Sequence, residues 1–264
     1  MSVALRRILL TTMLPYSMVV PLCAQTVSNM GGIAHTNDGT FMYRVKLIDE
    51  FIERFNDEPR SYLRQQAQAL TGSDSMLNRR RVLRSLFYKG TTWTADAGKF
   101  VDDVCQPNNE QWLHFADSSW YAVATCVFKL KGKDISLPLT FRIRSQNNAV
   151  WWMIAGVGTS ALPAAGCPAY TPIAAQGRFI PASAHGTNYV VLSQLLQPGM
   201  SMEDFMDAAA LRSGNGQLLA RWVQSGSLQF AYVSSIQFHI FQVPGWHFTV
   251  AHHKGAGTQS GWLI

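Results

Sequence analysis

Residues 120–157 read WYAVATCVFKL-KGKD-ISLPLTFRIR-SQNN-AVWWMIAGV. Trp120 to Leu130 is a long aromatic and β-branched run, which suits a pleated, half-buried surface. Lys131-Gly132-Lys133-Asp134 supplies turn chemistry. Ile135, Leu137, Leu139, Phe141 and Ile143 then alternate with Ser136, Pro138, Thr140, Arg142 and Arg144. A period of two with one apolar side predicts a strand with one wet face. Pro138 has no N–H to give to a ladder, so it belongs at an edge or a bulge. After Ser145-Gln146-Asn147-Asn148, the run Ala149 to Val157 predicts a third strand.

Upstream, the period changes. Phe41, Val45, Ile48, Phe51, Ile52 and Phe55 recur at helical spacing, with charged residues between them. Asn56-Asp57-Glu58-Pro59 ends that helix. A second helix is expected over Ser75 to Tyr88, with Val82, Leu83, Leu86 and Phe87 as its buried stripe. Arg79, Arg80, Arg81 and Arg84 form the single basic run and read as a solvated face of that helix. Asp102-Asp103, Glu110 and Asp117 read as surface turns.

Downstream, residues 158–177 are rich in Gly, Pro, Ala and Ser and mark a boundary. The order then recurs in shorter form. Asn188 to Gln197 and Ser201 to Leu211 look helical, and Gly216 to Val223 adds a short helix capped from Asn215. Leu228 to Val243 is strand-like, Pro244-Gly245 turns it into Trp246 to His252, and a last strand begins near Gly261. Helices followed by an antiparallel sheet in each half predict an α+β protein of two tandem domains, 41–157 and 178–264.

The first residues read as an address label. Arg6 and Arg7 precede an apolar run from Ile8 to Val20, and Ala24 offers a small residue before a cut. These are the signs of a secretory signal peptide over residues 1–24, followed by a flexible lead-in at 25–40. The run falls short of the about 20 residues of a membrane span. Lipid attachment at Cys23 is disfavoured because Leu22, and not a small residue, precedes it. Cleavage removes two of the 22 basic residues and none of the 16 acidic ones, which lowers the charge from +6 to +4. That excess speaks for solubility and against nucleic-acid binding. Of the 264 residues 47% are hydrophobic and 14% charged, and mean hydropathy is +0.01. This balance excludes disordered, coiled-coil and polytopic membrane chains. Three cysteines would remain, Cys105, Cys126 and Cys167. Cys105–Cys126 is the local candidate for a disulfide, against a reading of Cys126 as a small core residue.

The opening helix, the Arg80-Arg81-Val82-Leu83-Arg84-Ser85-Leu86-Phe87 segment and the closing Val150-Trp151-Trp152-Met153-Ile154 strand resemble the nuclear-transport-factor-2-like, or cystatin-like cone, superfamily. The likeness is to its exported bacterial members of unknown role. It covers residues 41–157 and extends to 178–264 only through Ser234–Phe241 and Gly245–Val250. The resemblance implies two helix-plus-curved-antiparallel-sheet cones, each enclosing a pocket. Family enzymes place an Asp, His or Tyr in that pocket, but no motif here transfers one, and fold does not carry function.

The most suggestive chemistry lies on the Pro244-Gly245 hairpin. A two-residue turn there sets Phe241 opposite Phe248 and His239 opposite Val250, and places His239, His252, Phe241, Trp246 and Phe248 on one face. An imidazole among aromatic rings can serve as a general base or metal ligand; a hydrogen-bonded, half-buried histidine is the plain alternative. His185, in Ser183-Ala184-His185-Gly186-Thr187-Asn188, is a further candidate at a helix entry. The chain has no Gly-x-Ser-x-Gly elbow, Gly-rich phosphate loop, Cys-x-x-Cys or His-Glu-x-x-His motif, and no metal or cofactor is assigned. The expectation is an exported, non-catalytic module of the cell envelope that binds a small apolar ligand, a glycan or an envelope protein. Alternatives are a cone-fold lyase, isomerase or hydrolase with a histidine base, and a homodimer formed through the open sheet.

Overall fold

A computed structural model describes residues 47–72, 77–88, 94–159, 162–254 and 261–264. The chain is α+β. Strands β1 (Trp120–Leu130), β2 (Lys133–Gln146), β3 (Ala149–Val157), β4 (Ile180–Pro181), β5 (Leu228–Ile240), β6 (Phe248–His253) and β7 (Gly261–Leu263) form one sheet in the order β4-β3-β2-β1-β5-β6-β7. Every neighbouring pair is antiparallel.

Two tight turns fix its centre. Leu130 pairs with Lys133, and Lys131 and Gly132 between them have φ of 51° and 83°. Gln146 pairs with Ala149 across Asn147 and Asn148, at 49° and 64°. Two consecutive residues of positive φ make a type I′ turn, whose twist matches that of the strands it joins. The expected alternation follows: Leu137, Leu139, Phe141 and Ile143 are buried, as are Trp120, Ala122 and Ala124 on β1. Pro138 lies one residue beyond the last β2–β3 pair, Leu139 with Val157, where β2 is an edge. Its carbonyl accepts the Gly158 N–H at 2.8 Å.

Most helices contribute to the main core, and Leu63 and Ala67 form a smaller separate cluster with Leu77 and Val82. In α1 (Ile48–Phe55) the stripe Ile48, Phe51, Ile52 and Phe55 is buried; residues 41–46 of the expected helix lie outside the described residues, as does the proposed signal segment. Asn56 stops the helix and clamps a loop, donating to the Leu113 carbonyl and accepting its N–H, both at 2.8 Å. The helix expected over 75–88 is α3 (Arg79–Ser85), capped by Asn78. Its arginines are not all solvated. Arg79 donates to the Phe55 carbonyl at 3.4 Å and lies 3.9 Å over the Trp112 ring. Two helices lie outside those expected, α2 (Tyr62–Thr71) and α4 (Ala95–Val104). Asp102 and Asp103 therefore stand on a helix and not in a turn.

The division at 158–177 does not separate two sheets. β1 pairs with β5 from Trp120–Ile240 to Leu130–Leu228, through two register shifts. Strands from both expected halves thus meet at the centre of one sheet, within a single compact unit over 39–264. The reason is physical: without β5, the eleven residues of β1 would expose an edge of unpaired N–H and C=O groups. The Gly/Pro-rich segment is tied down along its length. Trp222 donates to the Pro163 carbonyl at 3.1 Å, Ser201 to the Ile173 carbonyl at 2.8 Å, and Asp204 accepts the N–H groups of Gln176 and Gly177. After it come a 3₁₀ turn at Ala182–Thr187, short helices α5 (Leu192–Leu195) and α6 (Ala208–Arg212), and α7 (Gly214–Gln224). The cap of α7 is Ser213, not Asn215. Among the described residues no helix is long and apolar enough to cross a membrane.

Candidate functional site

The β5–β6 hairpin decides where the histidines go. Pro244-Gly245 does turn the chain, with the Trp246 N–H bonded to the Val243 carbonyl at 3.0 Å and Gly245 at φ 76°. Proline followed by a positive-φ glycine is a type II pattern, whose twist splays strands. The ladder accordingly resumes only at Ile240–Phe248, followed by His239–Thr249 and Gln237–Ala251. That is one residue away from the expected register, and a slip of one moves side chains to opposite faces.

The expected five-residue cluster is thereby divided. Phe248 is a core residue, stacked 6.0 Å from Phe55, and the partly buried Trp246 packs against the core with its indole donating to Asp103 at 3.0 Å. His239 and Phe241 occupy the face turned away from the helices, joined there by Tyr121 and His247. His252 stays on the helix side, edge-on to Trp262 at 5.5 Å.

There His252 lines a cavity of about 490 Å³ together with His185, the second candidate region of the sequence. Leu47, Asn188, Val233, Lys254 and Trp262 complete much of its wall. His185 is buried on the 3₁₀ turn, against Phe115 and Trp152. Its Nδ1 bonds the Ala182 carbonyl at 2.7 Å and its Nε2 the Asp49 carboxylate at 3.1 Å. Asn188, which lines the cavity, and Tyr189 follow at φ of 49° and 53°, a left-handed pair. Sequence reasoning missed Asp49, which reads as an ordinary polar position of α1, and Tyr121 and His247, which carry no local signal.

Burial lowers the basicity of both His239 and His252; the charge of His247 adds to it for the first, and those of Lys254 and His253 for the second. The unfolded chain binds these protons first. The associated stability is complete above the ordinary imidazole value of 6.5 and is lost as pH falls through the depressed values. The urea midpoint is expected to drop between pH 7.5 and 5, and to drop less in a His239→Gln/His252→Gln double variant. An equal drop in both proteins would contradict this assignment.

The three described cysteines, Cys105, Cys126 and Cys167, are free thiols. Burial pushes the Cys126 thiol up to about 12, so it packs as an apolar side chain and is not a nucleophile. Among the described residues no three histidine, cysteine or carboxylate side chains gather as a metal site. Compared with known proteins, the chain matches no family model, no curated protein and no solved structure.

Proposed function

We propose that the protein is an exported, non-catalytic binding module that holds a small amphipathic molecule in the cavity shared by His185 and His252. One observation carries the reading: a concave site of ligand size in which the polar groups are arranged to hydrogen-bond and not to transfer protons. Both nitrogens of His185 are committed. Ser234 donates its hydroxyl to the Thr125 carbonyl at 3.1 Å, so it is not poised against a base. Leu47, Val233 and Trp262 offer apolar walls, while His252 and Lys254 would meet an acidic or hydroxylated end. Export rests on the basic and apolar pattern of residues 1–24. The cone-family resemblance is retained for one sheet bent over its helices, in place of two.

The probe is 1-anilinonaphthalene-8-sulfonate, which is apolar at one end and anionic at the other. It is expected to bind with enhanced fluorescence, and His252→Ala and Lys254→Met are each expected to weaken it severalfold without moving the thermal midpoint. Binding indifferent to both substitutions would place the ligand elsewhere. A second reading, a small-molecule lyase, isomerase or hydrolase with His252 as base, draws on the same lowered basicity, which keeps that ring neutral at pH 7. It requires turnover that His252→Ala abolishes.

A further inference from the structure

The cavity shared by His185 and His252 changes chemistry from its depth to its rim. Ile236 and Trp262, 6% and 8% exposed, close the bottom, and Val233 and the more exposed Leu47 add apolar wall. His185 is buried there too, but both of its ring nitrogens are already bonded inside the protein, to the Ala182 carbonyl and the Asp49 carboxylate. Asn188, His252 and Lys254 are exposed and form the rim. An occupant therefore meets hydrocarbon inside and hydrogen-bonding groups at the mouth. A sugar, with hydroxyls all round, would give up bonds to water against Ile236 and Trp262 that those side chains do not return. A hydrocarbon chain with one polar end gives up none.

The charge of that end follows from the lining. Lys254 is the one Lys, Arg, Asp or Glu among the residues that line the cavity, and its ammonium has no carboxylate partner among the described residues. Asp49 reaches the wall only through His185, which holds it at 3.1 Å. A ligand ended by an ammonium would be repelled by Lys254 with no lining carboxylate to offset it. One ammonium balances one negative charge, which a carboxylate carries and a phosphate monoester exceeds at neutral pH. The neutral ring of His252 and the amide of Asn188 make no side-chain hydrogen bond among the described residues. Each is a donor on the same rim as Lys254, and a carboxylate accepts at two oxygens.

We propose that the occupant is an aliphatic monocarboxylate, with its hydrocarbon chain on Ile236, Val233 and Trp262 and its carboxylate held by Lys254 at the rim. The inference rests on the reading of this cavity as the binding site, and it makes Lys254 the residue that selects the charge of the ligand. The test is calorimetry on the full chain at pH 7.5 with butanoate, hexanoate and octanoate, and with octanol, octylammonium and octyl phosphate alongside. Octanoate is expected to bind about tenfold more tightly than octanol, and the acids to gain about fourfold for each methylene buried. Lys254→Met is expected to bring the octanoate-to-octanol ratio down to about one with an unchanged thermal midpoint, and Lys254→Glu to favour octylammonium over octanoate. Arg142→Gln removes a like charge beside Tyr121, on the face turned away from the helices, and leaves the ratio as it is. A ratio indifferent to Lys254→Met overturns the proposal, and so does octanol or octylammonium that binds as tightly as octanoate. Tighter binding of octyl phosphate would give the rim to a phosphate and overturn the carboxylate assignment. If octanoate fails while 1-anilinonaphthalene-8-sulfonate still binds through His252, the cavity remains a binding site and the monocarboxylate falls; failure of both removes the reading beneath it as well.

Discussion

Truncation of Trp152 to alanine is expected to cost about 4 kcal/mol of stability. Trp152 is fully buried on β3 and stands where the sheet meets the 3₁₀ turn at 182–187. Its ring lies 5.3 Å from Trp120, 5.8 Å from Tyr189, 6.0 Å from Phe115 and 6.1 Å from His185. The indole N–H donates to the Ala182 carbonyl at 2.9 Å, the same oxygen that His185 uses. That carbonyl keeps a partner when the indole goes, so the loss comes chiefly from the transfer of apolar area and the cavity left behind. Urea denaturation at pH 7.5 measures it. Trp151, the preceding residue on the other face of the same strand and only half-buried, is the control. Trp151→Ala is expected to lose no more than about 1 kcal/mol, and equal losses at the two positions would refute the inside–outside assignment of β3. The 1-anilinonaphthalene-8-sulfonate response should fall with Trp152→Ala, because His185 loses a wall.

The same strand marks what the sequence discloses. Residues 120–157 carry their fold locally: Lys-Gly and Asn-Asn turns of two residues, and a period of two that the burial of Leu137, Leu139, Phe141 and Ile143 repeats residue by residue. The β1–β5 pairing has no such local trace, since its partners stand about a hundred positions apart, as Trp120 and Ile240 do at one end and Leu130 and Leu228 at the other. Each half looks self-sufficient until the two edges are required to meet. In α4 the pair Asp102-Asp103 obscured a stripe of Phe100, Val101 and Val104 that begins from the Thr94 cap. In α2 three glutamines surround a stripe as thin as Leu63 and Ala67.

The site was legible by parts and not as a whole. The Pro-Gly turn, the two strands around it and the choice of His185 and His252 as candidates follow from residue type and position. What separates His239 from His252 is one residue of register, and register depends on the twist of the turn and on where β1 and β6 hold β5. Likewise the Asp49 partner of His185 lies 136 residues away, and its role appears only once α1 and the 3₁₀ turn are packed together. One slip thus yields two surfaces where a single cluster was expected.

A second large effect is expected at Gly216, where general propensity predicts the opposite sign. Alanine in place of glycine within a helix ordinarily gains up to about 1 kcal/mol. Gly216 is in the first turn of α7, and its N–H bonds the Ser213 hydroxyl at 3.0 Å while that hydroxyl donates to the Ala210 carbonyl at 2.6 Å. This compact junction brings α6 against the start of α7. A methyl group on Gly216 would lie 1.9 Å from the Ala210 carbonyl oxygen and 2.8 Å from its carbon. Both are backbone atoms, so no rotamer change relieves the clash, and α6 or α7 must shift. Gly216→Ala is therefore expected to destabilise by about 3 kcal/mol, the upper range of overpacked positions, and to lower the thermal midpoint by several degrees. Gly214, two residues earlier, has no heavy atom within 4 Å of an added methyl group, and Gly214→Ala should be neutral or slightly stabilising. A Gly216→Ala protein as stable as its Gly214→Ala counterpart would mean that α6 and α7 do not meet as closely as described. The Asn215 side chain, which donates to the Gly158 carbonyl at 2.9 Å, connects this junction to the end of β3, so the displacement should also be read there, as faster amide exchange at Gly158, whose N–H bonds Pro138.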